Sequence, residues 1–172
     1  MGQFHSQAKK YMKTIQFDFD NVGGITQVYA IPTTSFLRLR QDYINEMQYL
    51  EVRQREGIIN IPVYADSSFT FNETQSQEDG GELWTVEIAG LIPKRYRLNE
   101  KSVRTLERGE WLVLFQDNNG DVVLAGTIEV PLRFSSARTT GTETEVNGNR
   151  FTFTGKEAEP SIIVDNKDIA ML

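Results

Sequence analysis

Apolar and polar residues alternate along much of this chain with a period of two. In TIQFDFD, residues 14–20, Ile15, Phe17 and Phe19 point one way and Gln16, Asp18 and Asp20 the other, the pattern of a half-buried strand. Asn21, Gly23 and Gly24 supply a turn, and TQVYAIP reads as a second strand ending at Pro32. Further strands are predicted in IINIPVYA, where Ile59, Ile61, Val63 and Ala65 share a face, and in SSFTFNE, with Phe69 and Phe71. In LWTVEIAG, Trp84, Val86 and Ile88 oppose Thr85 and Glu87. Pro62 has no N–H to give a ladder, which marks its strand as an edge. PLRF ends another strand at Phe134, RFTFTG alternates through Phe151 and Phe153, and PSIIVDN is a last short strand. The polar stretches TQSQEDGGE and SSARTTGTETEVNGNR read as loops.

Three segments break the rhythm. In SFLRLRQDYINEMQYLEVRQREG, Phe36, Leu39, Tyr43, Met47 and Leu50 recur at helical spacing, and its Lys, Arg, Glu and Gln content suits a helix. Yet FLRLR and QYLEV also alternate around INE, so a helix and a β-hairpin both stand for residues 36–55. LNEKSVRTLERG predicts one short helix, near residues 99–108: Asn99 at its cap, Val103 and Leu106 as anchors, Gly109 at its end. In WLVLFQDNNGDVVLAG, two apolar runs flank an Asn-Gly bend without alternating. Such strands are covered on both faces. One cover is the core; the other is either the short helix or a second copy of the protein, because an open apolar face invites aggregation.

Together these segments make about nine or ten short strands with turn chemistry between them, an all-β sandwich or barrel. The organisation expected is a mobile arm over residues 1–13, one β domain over 14–165 and a tail over 166–172. The 172 residues carry a net charge of −6, which argues against a protein whose main task is gripping DNA phosphates. Cysteine is absent, so disulfides and thiolate chemistry are excluded. No apolar run reaches the roughly 20 residues of a membrane span, and the spacing of Gly2 and Ser6 is a chance match to an acylation pattern.

Candidate chemistry is sparse. Asp117, Asn119 and Asp121 occupy the first, third and fifth positions of a calcium loop, but Gly120 comes two places early and Ile128 stands where a glutamate is needed. A hairpin turn accounts for the same residues. His5, the only histidine, sits in a polar N-terminal segment with no partner pattern for a triad or a zinc site. The carboxylate pairs Asp18 with Asp20, Glu143 with Glu145 and Glu157 with Glu159 are the acids on which a hydrolase would have to be built. No cofactor, metal or small-molecule substrate site is read from the sequence, and the chain is not expected to be an enzyme. The strongest charge feature is basic: Lys94, Arg95, Arg97, Lys101, Arg104 and Arg108, on a helix or just before it. Such a patch suits a solvated helix or the acidic face of a neighbouring subunit.

The blocks GGELWTVEIAGLIPK, LERGEWLVLFQDNNGDVVLAGTIEVPLRF and TTGTETEVNGNRFTFTGKEAEPSIIV resemble small structural proteins of bacteriophages and prophages of Bacteroidota. The resemblance spans residues 25–165 and is carried by Arg108 to Gly126 and by Phe151 to Pro160. It implies a virion protein made in a bacterial cytoplasm, with the tail tube as its first location and the head–tail neck as its second. It also implies rings built from copies of the chain and other virion proteins, with no membrane contact and only non-specific proximity to phage DNA. The subunit interface is expected at Leu112, Leu114, Val122 and Leu124 of the apolar hairpin and at Lys94, Arg95, Arg97 and Arg104 of the basic stretch. The alternative is a ligand-binding or adhesive β-sandwich that uses Trp84, Trp111 or the tyrosines.

Overall fold

A computed structural model of the chain describes residues 23–44, 46–63, 69–78, 80–93, 97–139, 148–165 and 167. The strand expected at 14–20, the arm and most of the tail lie outside these residues. Among the described residues there are eleven strands and one α-helix. β1 (Ile25–Pro32), β4 (Ile59–Ile61), β7 (Trp111–Asp117), β8 (Val122–Ala125) and β11 (Ile162–Val164) form one antiparallel sheet in the order β11-β8-β7-β1-β4. β5 (Thr70–Glu78), β6 (Gly81–Pro93), β9 (Arg133–Thr139) and β10 (Gly148–Glu157) form a second, ordered β5-β6-β10-β9. β2 (Phe36–Asp42) and β3 (Met47–Val52) pair only with each other. The fold is all-β and sandwich-like, as the alternation predicts. The two larger sheets are also joined at one corner, where Trp111 and Leu132 exchange backbone hydrogen bonds of 3.0 and 2.8 Å.

The core between the two larger sheets follows from the period of two. Val28, Ala30, Val113 and Phe115 from the first sheet meet Val86, Ile88, Phe134, Phe151 and Phe153 from the second. Phe134 and Phe153 pack edge to face at 5.0 Å, a geometry that aromatic quadrupoles favour. The intervening positions Thr85, Glu87, Thr154 and Arg133 face water, so each strand of the second sheet needs only one apolar face. As expected from Pro62, β4 is an edge strand.

β7 needs two apolar faces. Its odd-numbered residues enter the main core, while Leu112 and Leu114 point to the other side of the sheet. There they join Ile31, Val122, Leu124 and Val164 beneath Leu50, with Phe36, Leu39 and Val52 packed around. The cover is therefore the β2–β3 hairpin of the same chain. Residues 36–52 are a hairpin and not a helix, and the helical spacing of Phe36, Leu39 and Leu50 coexists with a strand pattern that places all three against the sheet.

This corrects the expected subunit interface. Leu112, Leu114, Val122 and Leu124 are 1, 0, 1 and 3% exposed, so no neighbour reaches them, and each contributes about 1.5–3 kcal/mol by burial within its own fold. The loop assignments need correction too. β5 runs to Glu78 and β6 starts at Gly81, which turns most of TQSQEDGGE into a long hairpin. Ser135–Thr139 belongs to β9 and pairs with β10, while residues 140–147 are outside the described range.

Replacing Leu50 with alanine should cost about 2–4 kcal/mol of stability, measured by urea unfolding, because it opens a cavity over Leu112 and Leu114. A loss under about 0.5 kcal/mol, the ordinary surface value, would show that the hairpin does not hold the ribbon closed.

Candidate functional site

The helix α1 (Arg97–Arg108) starts two residues before Asn99, which is thus inside the first turn and not at the cap. Val103 and Leu106 sink into the main core. With 3.6 residues per turn, Lys101, Arg104, Thr105 and Arg108 share the opposite face, and all four are exposed. The helix lies along the β9 edge, where Ser136 donates a 2.8 Å hydrogen bond to Glu107 and Arg133 pairs with Glu110 at 3.0 Å. Its end is fixed by Trp111, whose Nε1 donates to the Leu106 carbonyl at 2.8 Å. Gly109 is required there for space, since a Cβ would lie 2.5 Å from the buried indole ring.

Beside this cationic stripe opens a cleft of about 760 Å³. Pro32, Thr33 and Thr34 line it from the other side, and Glu100, Glu110 and Trp111 line it as well. The threonine side is anchored. Thr33 N–H donates to the Glu110 carbonyl at 3.2 Å, and the buried Ser35 hydroxyl donates to the Glu56 carbonyl at 3.2 Å. Among the described residues, Lys101, Arg104 and Arg108 have no carboxylate within ion-pair distance. Three cations, two carboxylates and three threonine hydroxyls therefore border one opening. Of the basic residues singled out in the sequence, Lys101, Arg104 and Arg108 line this cleft, Arg97 opens the helix with its side chain outside the description, and Lys94 and Arg95 fall outside the described residues. The threonine wall was missed, because a short 3₁₀ turn over Thr33–Ser35 leaves no periodic trace.

A second exposed feature is apolar. The turn of the β2–β3 hairpin carries Tyr43 and Ile44, which are 83 and 91% exposed. Met47 follows at the start of β3, and the Gln48 carbonyl beside it accepts a hydrogen bond from Asp165 N–H just past β11. The hairpin thus crosses the sheet and brings its turn to the β11 edge. Its outward face carries an exposed ion pair: Arg38 donates to Glu51 at 2.7 Å, a hydrogen bond that shifts the Glu51 carboxyl below its usual value. The signal for the tip is the apolar pair in YINE, at turn positions that are ordinarily polar.

Among the described acidic candidates, Asp117 and Glu157 accept hydrogen bonds from backbone amides. Asp117 accepts from Asn119 N–H, Asn119 Nδ2 and Asp121 N–H at 2.9–3.0 Å, and Gly120 takes φ +91°, so the Asp117–Asp121 segment is a self-satisfied turn. Glu157 is buried and accepts from Gly126 N–H at 2.9 Å, while Glu159 is exposed. Burial pushes the Glu157 carboxyl above its ordinary value of 4.5, the Gly126 hydrogen bond opposes this, and the charge of Glu73 adds to the rise. Glu73 itself accepts from Ser161 N–H at 2.8 Å. Both carboxylates are thus engaged by backbone amides. Asp18, Asp20, Glu143, Glu145 and His5 lie outside the described residues. Trp111 is buried and Trp84 is half-buried, so the tryptophans do not make an exposed aromatic platform.

No family model, curated protein or solved structure matches the chain. Among the described residues, no helix is long and apolar enough to cross a membrane.

The raised pKa of Glu157 makes a signed prediction. Stability tied to its protonated form is present below 4.5 and lost as pH rises through the folded-state pKa. Glu157→Gln keeps an oxygen acceptor for Gly126 N–H without the buried charge. The variant should gain Tm relative to wild type as pH goes from about 4 to about 7. A gap that stays constant over that range would contradict the assignment.

Proposed function

We propose that this chain is a structural subunit of a bacteriophage particle, joining copies of itself and other virion proteins in a ring. The tail tube is the first location and the head–tail neck the second. The observation that carries the reading is the apolar turn at Tyr43 and Ile44, held in water at the end of a hairpin whose Phe36, Leu39, Leu50 and Val52 are committed to the fold. Scattered apolar residues on a surface are ordinary, but two adjacent large ones on a projecting turn lose free energy until a partner covers them. The resemblance of Arg108–Gly126 and Phe151–Pro160 to phage structural proteins supports the same reading. A net charge of −6 suits a particle component past which DNA slides without adhering. On this reading the contact lies at the tip of the covering hairpin, since the ribbon beneath it is buried.

A ligand-binding or adhesive module is the second reading, and the 760 Å³ cleft favours it, since ligand pockets range over roughly 300–1,000 Å³. The two readings differ in solution. A subunit should form rings or tubes as concentration rises, whereas an adhesive module should remain monomeric.

Mass measurement and negative-stain imaging across a concentration series test the choice. Wild type should show discrete larger species, and Tyr43→Ser with Ile44→Ser should abolish them. Unfolding stability should change by no more than about 0.5 kcal/mol, because both sites are exposed. A strict monomer at the highest concentration would overturn the proposal, as would unaltered assembly of the double variant.

A further inference from the structure

The β5–β6 hairpin is longer than the sheet it belongs to. β10 pairs with β6 only as far as Glu157 opposite Trp84, yet the hairpin continues through Ser76–Leu83, Gln77–Glu82 and Glu78–Gly81. These last pairs have no third strand among the described residues. The overhang is acidic, with Glu78 and Glu82 both exposed. Lys156 approaches Glu78 at 3.7 Å from a mostly exposed position, a contact worth little. Glu82 makes no ion pair among the described residues.

The cationic cleft has the complementary chemistry and a complementary position. α1 lies outside β9, and β9 and β5 are the two opposite edges of the same sheet. An acidic finger therefore projects from the β5–β6 side of the subunit, while Lys101, Arg104 and Arg108 stand on the other side. The finger and the cleft thus belong to opposite edges of one sheet. Copies placed side by side in the same orientation bring one finger to the next cleft.

We infer that the cleft between α1 and the 33–35 turn receives the acidic end of the β5–β6 hairpin of a second copy. The inference rests on the assembly reading and names a pair of its contact surfaces. Arg104 and Arg108 meet the carboxylates of Glu78 and Glu82, and the Thr33 and Thr34 hydroxyls line the entry. The contact is heterologous, so it repeats and closes into a ring where the rotation allows.

Charge reversal tests it in the full chain. Arg104→Glu with Arg108→Glu should weaken association by about tenfold or more, and Glu78→Lys with Glu82→Lys by a similar factor. The four changes in one chain should restore association to within about threefold of wild type, since every copy then carries both reversed surfaces. Rising salt should weaken the wild-type association. Thermal unfolding of each variant checks that all changes act on exposed side chains. If wild type assembles and either reversal leaves it indifferent, or if the fourfold variant is no better than the pairs, the cleft assignment falls and the assembly reading stands. A wild type that is monomeric throughout removes both. Retention of a labelled DNA duplex by wild type, lost with Arg104→Glu and Arg108→Glu, would give the cleft to nucleic acid and overturn the inference.

Discussion

The structure depends on burying β7 from both sides. Val113 and Phe115 close the core between the two larger sheets, and Leu112 and Leu114 demand a second cover on the back of the same strand. That demand explains why a β2–β3 hairpin is laid across the sheet, and why it uses Leu39, Leu50 and Val52 on one side and the Arg38–Glu51 pair on the other. A two-stranded hairpin is marginal by itself in water. Here the strand and its cover stabilise each other, so neither is a separable unit. The exposed turn at Tyr43 and Ile44 follows from this arrangement, because the cover extends to the β11 edge where the sheet beneath it ends.

Alternation reveals a strand when one face is wet and the other dry. The second sheet meets that condition, so Trp84, Val86 and Ile88 against Thr85 and Glu87 can be read directly from the sequence. The method weakens wherever the faces are alike. Both faces of β7 are dry, which announces two covers without naming them, and the cover comes from a distant part of the chain. The β5–β6 overhang has no third strand against it among the described residues and its positions are mostly polar, so TQSQEDGGE looks like a loop. Residues 36–52 fail for a third reason. Their apolar positions satisfy a spacing of three and four as well as a spacing of two, and helix-forming polar residues fill the gaps. Only the need to cover Leu112 and Leu114 separates the choices. The cleft is half readable: Lys101, Arg104 and Arg108 form a stripe at helical spacing, but nothing local places Thr33 and Thr34 opposite them.

Polar groups inside the fold serve its joints. The chain leaves the first sheet after β8 and enters the second at β9, and the crossing is secured by Glu157 on Gly126 N–H and by the Trp111–Leu132 bridge. Glu157 gives an acceptor to a buried amide that would otherwise cost free energy, even though its own charge is disfavoured by burial. Glu73 does the equivalent for Ser161. A raised carboxyl pKa often marks catalysis, but here the same shift arises from a carboxylate used as a fastening. What distinguishes the two is the partner: Glu157 meets a backbone amide in a packed interior, not an open cleft.

The placement of charge also restricts how copies of this chain can meet. A two-fold contact through the cleft would set Arg104 and Arg108 against their own images, and one through the hairpin end would set Glu78 and Glu82 against theirs. Like charges at close range are repulsive, so both symmetric pairings are disfavoured. The head-to-tail pairing opposes unlike charges and escapes that cost. In the proposed assembly, two charged surfaces at opposite edges of one sheet would favour repeating contacts over closed dimers. In the same proposal the apolar turn at Tyr43 and Ile44 would add binding free energy without such a preference, because burial is indifferent to direction. Strength would then come from the hairpin tip, and orientation from the charges.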